Sequence, residues 1–475
     1  MSTKQIALAL ILIASLTSCK KVLDVEPEFD LDGTTRFQSL DDYDFALVGA
    51  YRLFQSTSYY GSTDGRSNAF ATLPDLLSDN LNETAESLGN ERVFSRWAYA
   101  EDEDQIERTW LAAYRIISQA NLVTRGIDNF TSTNAGGVNR IKGQALAIRG
   151  MVHFDVLRYW VNDYDRNSTS PGIPYINSFD YELKPARGTV KQTYDAIEQD
   201  LKTARELLSN TDKPVNGGGT RAYIDRITVD AMLARMYLYS NQLDSAIKYS
   251  TIVINAIPLA DIDEFPSIWT DASNAEVVWS LVFDAGQGGP ADNVYFPSTD
   301  RSSYRPNQTL VASYDQTNDI RFFSYFQIIS GRRVLSKYLA KESQLANPDG
   351  TTNFKVFRTG EMYLIRAEAY ARKGGASEAL GLADLNALRA ARIFGYVPVV
   401  LTGTALLDAI ATERRKELIG EGHRWFDLKR TTRTISRANC TSFCTLPSNS
   451  RAWTWPVPQP EIDANPNILP QNPGY

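Results

Sequence analysis

Histidine is nearly absent from this chain: His153 and His423 are the only two in 475 residues. Beside them stand three cysteines, Cys19, Cys440 and Cys444. That leaves little for a transition-metal centre. A Ser-His-Asp or Cys-His hydrolase would have to use one of those two histidines. Each lies in a helical, apolar pattern that better suits a packed or hydrogen-bonded ring. Basic excess is absent as well. Lys and Arg total 49 against 56 Asp and Glu, a net charge of −7, so no surplus exists to neutralise a phosphate backbone. The run N-G-G-G-T at 216–220 lacks the G-K-[ST] that completes a phosphate cradle. Asp163, Asp165 and Asn167 begin like a calcium loop, but Ser168 stands where that loop needs Gly and Pro174 where it needs Glu. No metal, cofactor or nucleic acid is expected.

What is present suits a large body with binding surfaces. Length alone suggests roughly three domain-sized units as a soft prior. Hydrophobic residues make up 43%, enough for an extensive core, and 24 Tyr and 8 Trp raise the aromatic share to 11%. Such rings stack on sugars and line recognition surfaces.

One apolar run stands out, residues 6–16 after Lys4. It is too short to span a bilayer and of the right length for a signal-peptide core. Leu16-Thr17-Ser18-Cys19 follows, similar to a bacterial lipobox, in which the cysteine becomes the acylated first residue. Several acyl chains would hold firmly, at ~0.8 kcal/mol per buried CH₂. Residues 1–18 therefore read as a lipoprotein signal peptide and 19–35 as a lipidated tether. Ordinary cleavage beside an incidental Cys19 is the alternative. Outside the cytoplasm, Cys440 and Cys444 would favour a disulfide, though its short loop would add little stability.

Helical periodicity dominates the rest. Residues 40–54, 107–127, 141–160 and 190–208 each carry apolar residues at helical spacing. Leu233, Ala234, Tyr237, Ala246, Val253 and Pro258 fall where a tetratricopeptide repeat places them, and Ala367, Tyr370, Gly374 and Ala379 repeat the core of that pattern. Trp110, Tyr114, Tyr237 and Tyr370 read as packing residues. The expected fold is mainly α: tetratricopeptide-like helix pairs in a right-handed superhelical body, with long irregular loops and a few short strands, one of them at 277–283. Residues 262–356 interrupt the helices, which marks a functional insertion. After residue 431 the chain reads as loop, ending in a proline-rich, extended tail.

The densest charge lies at 413–430, E-R-R-K-E-L-I-G-E-G-H-R-W-F-D-L-K-R. Glu413, Glu417 and Glu421 share one helical face, with Arg414 three residues before Glu417 and Arg424 three after Glu421. Gly422 suits a left-handed helix end. A second helix from Arg424 would turn Trp425, Phe426 and Leu428 inward. The stretch reads as a partly buried ion-pair network locking the chain's end onto its core. A solvated charged helix is the alternative, and nothing singles out one Glu for proton transfer.

These pieces together resemble the SusD/RagB family, the nutrient-binding outer-membrane lipoproteins of Bacteroidota. The resemblance rests on S-C-K-K-V-L-D-V-E-P after the leader, L-V-G-A-Y-R at 47–52, W-L-A-A-Y-R-I-I-S-Q-A-N at 110–121, N-D-I-R at 318–321, E-M-Y-L-I-R-A-E-A-Y-A-R at 361–372, the 413–430 stretch, W-P-V-P-Q-P-E-I-D-A-N-P-N and the closing Q-N-P-G-Y. It implies an N-terminal region over 36–225 and a C-terminal region over 226–475 in one compact body. It also implies a lipid-anchored protein facing the cell exterior. Such a protein captures a glycan, or a peptide in the same role, and passes it to a TonB-dependent barrel. The matching motifs bring no catalytic residue.

Sugar capture needs flat rings beside carboxylate, amide or guanidinium groups. Two segments offer them. One holds Tyr59, Tyr60, Asp79, Asn80, Trp97 and Tyr99; the other holds Tyr295, Phe296, Tyr304 and Arg305. Any one of these could instead pack beneath its loop. A glycoside hydrolase and a repeat-type interaction scaffold remain rival readings; for the former, no motif fixes a carboxylate pair at the separation required.

Overall fold

The computed structural model describes residues 37–62, 68–180, 182–217, 219–290, 294–438, 440 and 442–475. The leader, the tether and Cys19 lie outside these residues. No helix among the described residues is long and apolar enough to cross a membrane.

Helix α1 (Leu40–Leu53) begins at a capping box between Ser39 and Asp42. The short α2 (Leu73–Leu77), strand β1 (Leu81–Glu83) and α3 (Arg92–Ser95) follow. Helices α4 (Asp104–Thr124) and α5 (Thr131–Trp160) pack as a pair. Helix α5 breaks its geometry at Asn134, and nearly every residue from Gly137 on is buried. A helix buried on all sides is central, and α5 is wrapped by α4 and α6 (Val190–Leu207). Glycine is required at position 143, where a Cβ would sit 2.8 Å from Leu208 Cγ.

Helices α7 (Arg226–Tyr239) and α8 (Leu243–Ala256) form the first tetratricopeptide-like pair. Ala234 and Ala246 are buried between them, and Tyr237 stacks on Tyr249 with ring centroids 5.5 Å apart. The insertion then supplies α9 (Phe265–Ile268), β2 (Val277–Leu281), β3 (Tyr304–Pro306), α10 (Gln308–Ala312), α11 (Ile320–Tyr325), β4 (Phe326–Ile329), β5 (Arg332–Leu335) and β6 (Phe354–Arg358). The second pair is α12 (Thr359–Lys373) with α13 (Glu378–Ala390), and α12 also packs on α8. Helices α14 (Gly403–Glu417) and α15 (Arg424–Thr431) follow, then β7 (Ile435–Ser436), β8 (Thr445–Leu446) and α16 (Gln459–Ala464). The strands make four two-stranded antiparallel ladders: β1–β3, β2–β6, β4–β5 and β7–β8. The chain is thus a mainly helical, tetratricopeptide-like body whose few strands are short. One apolar cluster joins residues from Tyr43 to Ile468, and a smaller one lies under α12–α14.

The tail departs from expectation. It contains α16 and single 3-10 turns at Arg451–Trp453 and Pro466–Ile468. Pro460 falls in the first turn of α16, where its missing N–H has no intrahelical partner to lose, so proline starts this helix rather than forbidding it.

The charged stretch is buried, but its local pairs are not the expected ones. Helix α14 stops at Glu417, and Glu421 lies in the turn beyond. Arg414 pairs with Asp427 rather than Glu417, and Arg424 with Asp79 rather than Glu421. Glu417 instead meets Arg321, Arg358 and Arg392, all fully buried, at 3.0 Å each. Glu413 pairs with Arg321 and Arg389; Glu421 pairs with Lys337 and Arg358. Exposed intrahelical pairs are worth a few tenths of a kcal/mol, whereas a buried carboxylate needs desolvated cations around it, so the long-range partners win. Trp425 is fully buried and stacks on Trp453 at 4.6 Å. Gly422 is fixed by its φ of 79° and by Phe70 O, 2.0 Å from any Cβ placed there.

Candidate ligand-binding cleft

The β1–β3 ladder joins the two segments that sequence marked for recognition. Asn82 lies opposite Arg305, and Glu83 opposite Tyr304. Residues from Asn82 to Arg96 form one wall, and the insertion's β3 is paired with that wall's strand. The opposite wall is the loop after β7, closed by a disulfide between Cys440 and Cys444. Between them lies a cleft of about 360 Å³, whose lining includes Asn82, Glu83, Thr84, Arg92, Arg96 and Ser442.

Its shape is set from below. Asp79 is gripped by Arg424, with Nε to Oδ1 at 2.7 Å and Nη2 to Oδ2 at 3.0 Å, and Arg415 adds a contact at 3.2 Å. Burial works to raise the Asp79 carboxyl, but these two arginines outweigh it and hold it below the usual carboxylate range. Arg415 also donates to Asn80 Oδ1, and Asn80 donates to Asp75. Burial pushes the Asp75 carboxyl up to about 7, and the same side chain accepts from Gly420 N. The 413–430 stretch therefore holds the segment that leads into the cleft wall.

Arg437 forms the cleft's floor. Its guanidinium donates to the backbone carbonyls of Leu76, Leu77, Ser78 and Ser95, capping the ends of α2 and α3. It also lies 4.1 Å over the Trp97 ring. Burial lowers its pKa to about 10. Trp97 and Phe443 flank the floor, and both adopt φ of 56°, a left-handed conformation that is strained for aromatic residues. Trp97 is half-buried and donates to Leu77 O; Phe443 is 49% exposed with Arg96 Cζ 5.5 Å from its ring.

The other marked residues divide by depth. Tyr59, Tyr60 and Tyr99 are core residues: Tyr59 donates to Asp155, Tyr60 packs on Phe354, and Tyr99 donates to Ala452 O. Their rings offer no face to solvent, because the apolar patterns around them demand filling. Tyr304 is also buried. Tyr295 bonds Asp300, Phe296 is half-buried under Arg301, and Arg305 pairs with Glu86. Glu86, joined also by Arg332, is held below the usual range by Ser302 N–H and the two arginines. Sequence reading did not mark Glu83, Arg92, Arg96, Arg437 or Phe443. The last had a signal: an aromatic set inside C-T-S-F-C.

A helical-repeat body carrying a polar, aromatic-flanked cleft defines a class of binding scaffold, and comparison with known proteins supplies the family. A model described as "Starch-binding associating with outer membrane" matches residues 21–238, and the SusD family model matches residues 301–475. The curated relative SusD-like protein P2 of Formosa agariphila is 24% identical, covering 98% of each chain. SusD-like protein P38 of the same organism is also 24% identical, over 90% of this chain and 91% of the relative. Among solved structures, a SusD superfamily protein of Bacteroides thetaiotaomicron superposes with a TM-score of 0.80 at 26% identity, covering 92% of this chain and 100% of that one. A SusD-like carbohydrate binding protein of Bacteroides vulgatus gives 0.77 at 21% identity, covering 91% and 98%. The chain belongs to the SusD/RagB family.

Proposed function

We propose that this protein binds an oligosaccharide nutrient in the cleft and delivers it to a TonB-dependent barrel. The observation that carries this reading is a polar cleft lined by residues from Asn82 to Arg96 and by Arg437 and Ser442, with the rings of Trp97 and Phe443 beside its arginines. The starch-binding description of the family model supports a saccharide over a peptide. Residues 1–18 act as the signal peptide, 19–35 as a tether lipidated at Cys19, and residues 36–225 and 226–475 fold as one body on the outer face of the outer membrane.

The protein does not cleave what it binds. The cleft's Glu83 is paired with Arg92, and neighbouring Glu86 with Arg305 and Arg332, so neither is left free as a proton donor. Incubation with glycans tests this: the expected result is saturable binding with no new reducing ends. Released products would replace binding with hydrolysis, and saturable peptide binding without glycan binding would replace the ligand class.

A further inference from the structure

The charge of the cleft narrows the ligand. Three arginines line it, Arg92, Arg96 and Arg437, against a single carboxylate, Glu83. Glu83 is divided between two of them: Arg92 Nε approaches Oε1 at 2.8 Å, and Arg96 Nη2 stays 3.6 Å from Oε2. The Arg96 guanidinium makes no hydrogen bond among the described residues beyond that long contact. Arg437 spends its N–H groups on backbone carbonyls and has no direct carboxylate partner among the described residues, so no ion pair neutralises its charge at the floor. The carboxylates just outside are already matched, Glu86 by Arg305 and Arg332 and Asp79 by Arg415 and Arg424. The cleft is therefore positive in a protein whose net charge is −7.

We propose that the saccharide bound here carries an anionic group, a carboxylate or a sulfate ester, held by the free N–H groups of Arg92 and Arg96. This rests on the reading of the cleft as a saccharide site. A neutral sugar offers these two guanidiniums no anionic acceptor beyond the single Glu83 they share. An anion completes them with charge-assisted bonds, and the planar guanidinium matches the spacing of carboxylate and sulfate oxygens. Asn82, Thr84, Ser95 and Ser442 also line the cleft beside the arginines.

The test is calorimetric titration of the full chain with matched oligosaccharides: oligogalacturonate for the carboxylate, a sulfated galactan oligomer for the sulfate, and the neutral counterpart of each. The expected result is binding of at least one acidic probe about tenfold or more tighter than its neutral partner, with affinity falling from about 50 to about 500 mM sodium chloride. Which acidic probe wins tells carboxylate from sulfate. Arg96→Gln and, separately, Arg92→Gln should shrink the acidic-to-neutral ratio, whereas Phe443→Ala should weaken acidic and neutral probes alike. Equal affinity for acidic and neutral probes that still falls in Phe443→Ala overturns the anion assignment and leaves the saccharide cleft standing. Saccharide binding unchanged by Phe443→Ala and by both arginine variants overturns the cleft itself. Failure of both acidic probes to bind overturns the proposal outright.

Discussion

Arg424 holds Asp79 through two parallel hydrogen bonds, Nε to Oδ1 at 2.7 Å and Nη2 to Oδ2 at 3.0 Å, across 345 positions of sequence. This pair ties the last helices of the body to the segment that enters the cleft wall. Replacing Arg424 with Ala should free that segment and weaken ligand binding several-fold. Arg424→Lys should rescue it poorly, since an ammonium cannot form the fork. Titration and thermal melting of both variants check this. Wild-type affinity in Arg424→Ala would show that the pair serves stability alone.

Glu417 serves the body more than the cleft. It is the shared acceptor of Arg321, Arg358 and Arg392, none of which reaches solvent. Glu417→Ala should destabilise the fold by ~3–5 kcal/mol, because three buried cations lose their common partner. Chemical denaturation measures the loss. Ligand affinity of the folded fraction should stay close to that of wild type.

His153 gives the fold a specific sensitivity to acid. Its Nδ1–H donates to Arg149 O at 2.8 Å, and its Nε2 accepts from Ile176 N at 3.0 Å, so the neutral ring is the form that fits. Burial, reinforced by the Arg149 charge, depresses its pKa from 6.5 to about 3. A depressed imidazole stays neutral when folded while the unfolded chain takes up a proton. Its contribution is therefore complete above pH 6.5 and is lost as pH falls from there towards about 3. Denaturation curves of wild type and His153→Asn across this window should converge as pH falls. A constant difference between them would contradict the assignment.

Lys429 is buried at the end of α5, where it donates to the carbonyls of Arg158, Tyr159 and Val161. Burial drives its pKa well below the usual lysine value. Lys429→Met keeps the volume and leaves three carbonyls without that donor. A loss of ~1–3 kcal/mol is expected in denaturation.

Much of the scaffold was legible because it is periodic. Apolar spacing placed the helices at 40–54 and 190–208 within a residue of α1 and α6, and small residues at repeat positions marked the α7–α8 and α12–α13 pairs. The charged stretch was recognisable as buried from Trp425, Phe426 and Leu428. Its partners were not, since Arg321, Arg358, Arg392 and Asp79 come from distant parts of the chain and carry no local signal. The cleft was legible only in part. Aromatic content marked segments of which one reaches the proposed cleft, yet Tyr59, Tyr60 and Tyr99 fill the core, and the lining arginines stand out only once the fold brings Arg437 beside Arg92 and Arg96.

The most direct test of the saccharide cleft is titration of wild type and Phe443→Ala with the same glycan, beside thermal melts of both. Phe443 is 49% exposed, so its truncation should leave the melting temperature nearly unchanged. Loss of a stacking ring at the rim should weaken binding about tenfold or more. Equal affinity in the two proteins, at equal stability, would place the ligand elsewhere and contradict the account.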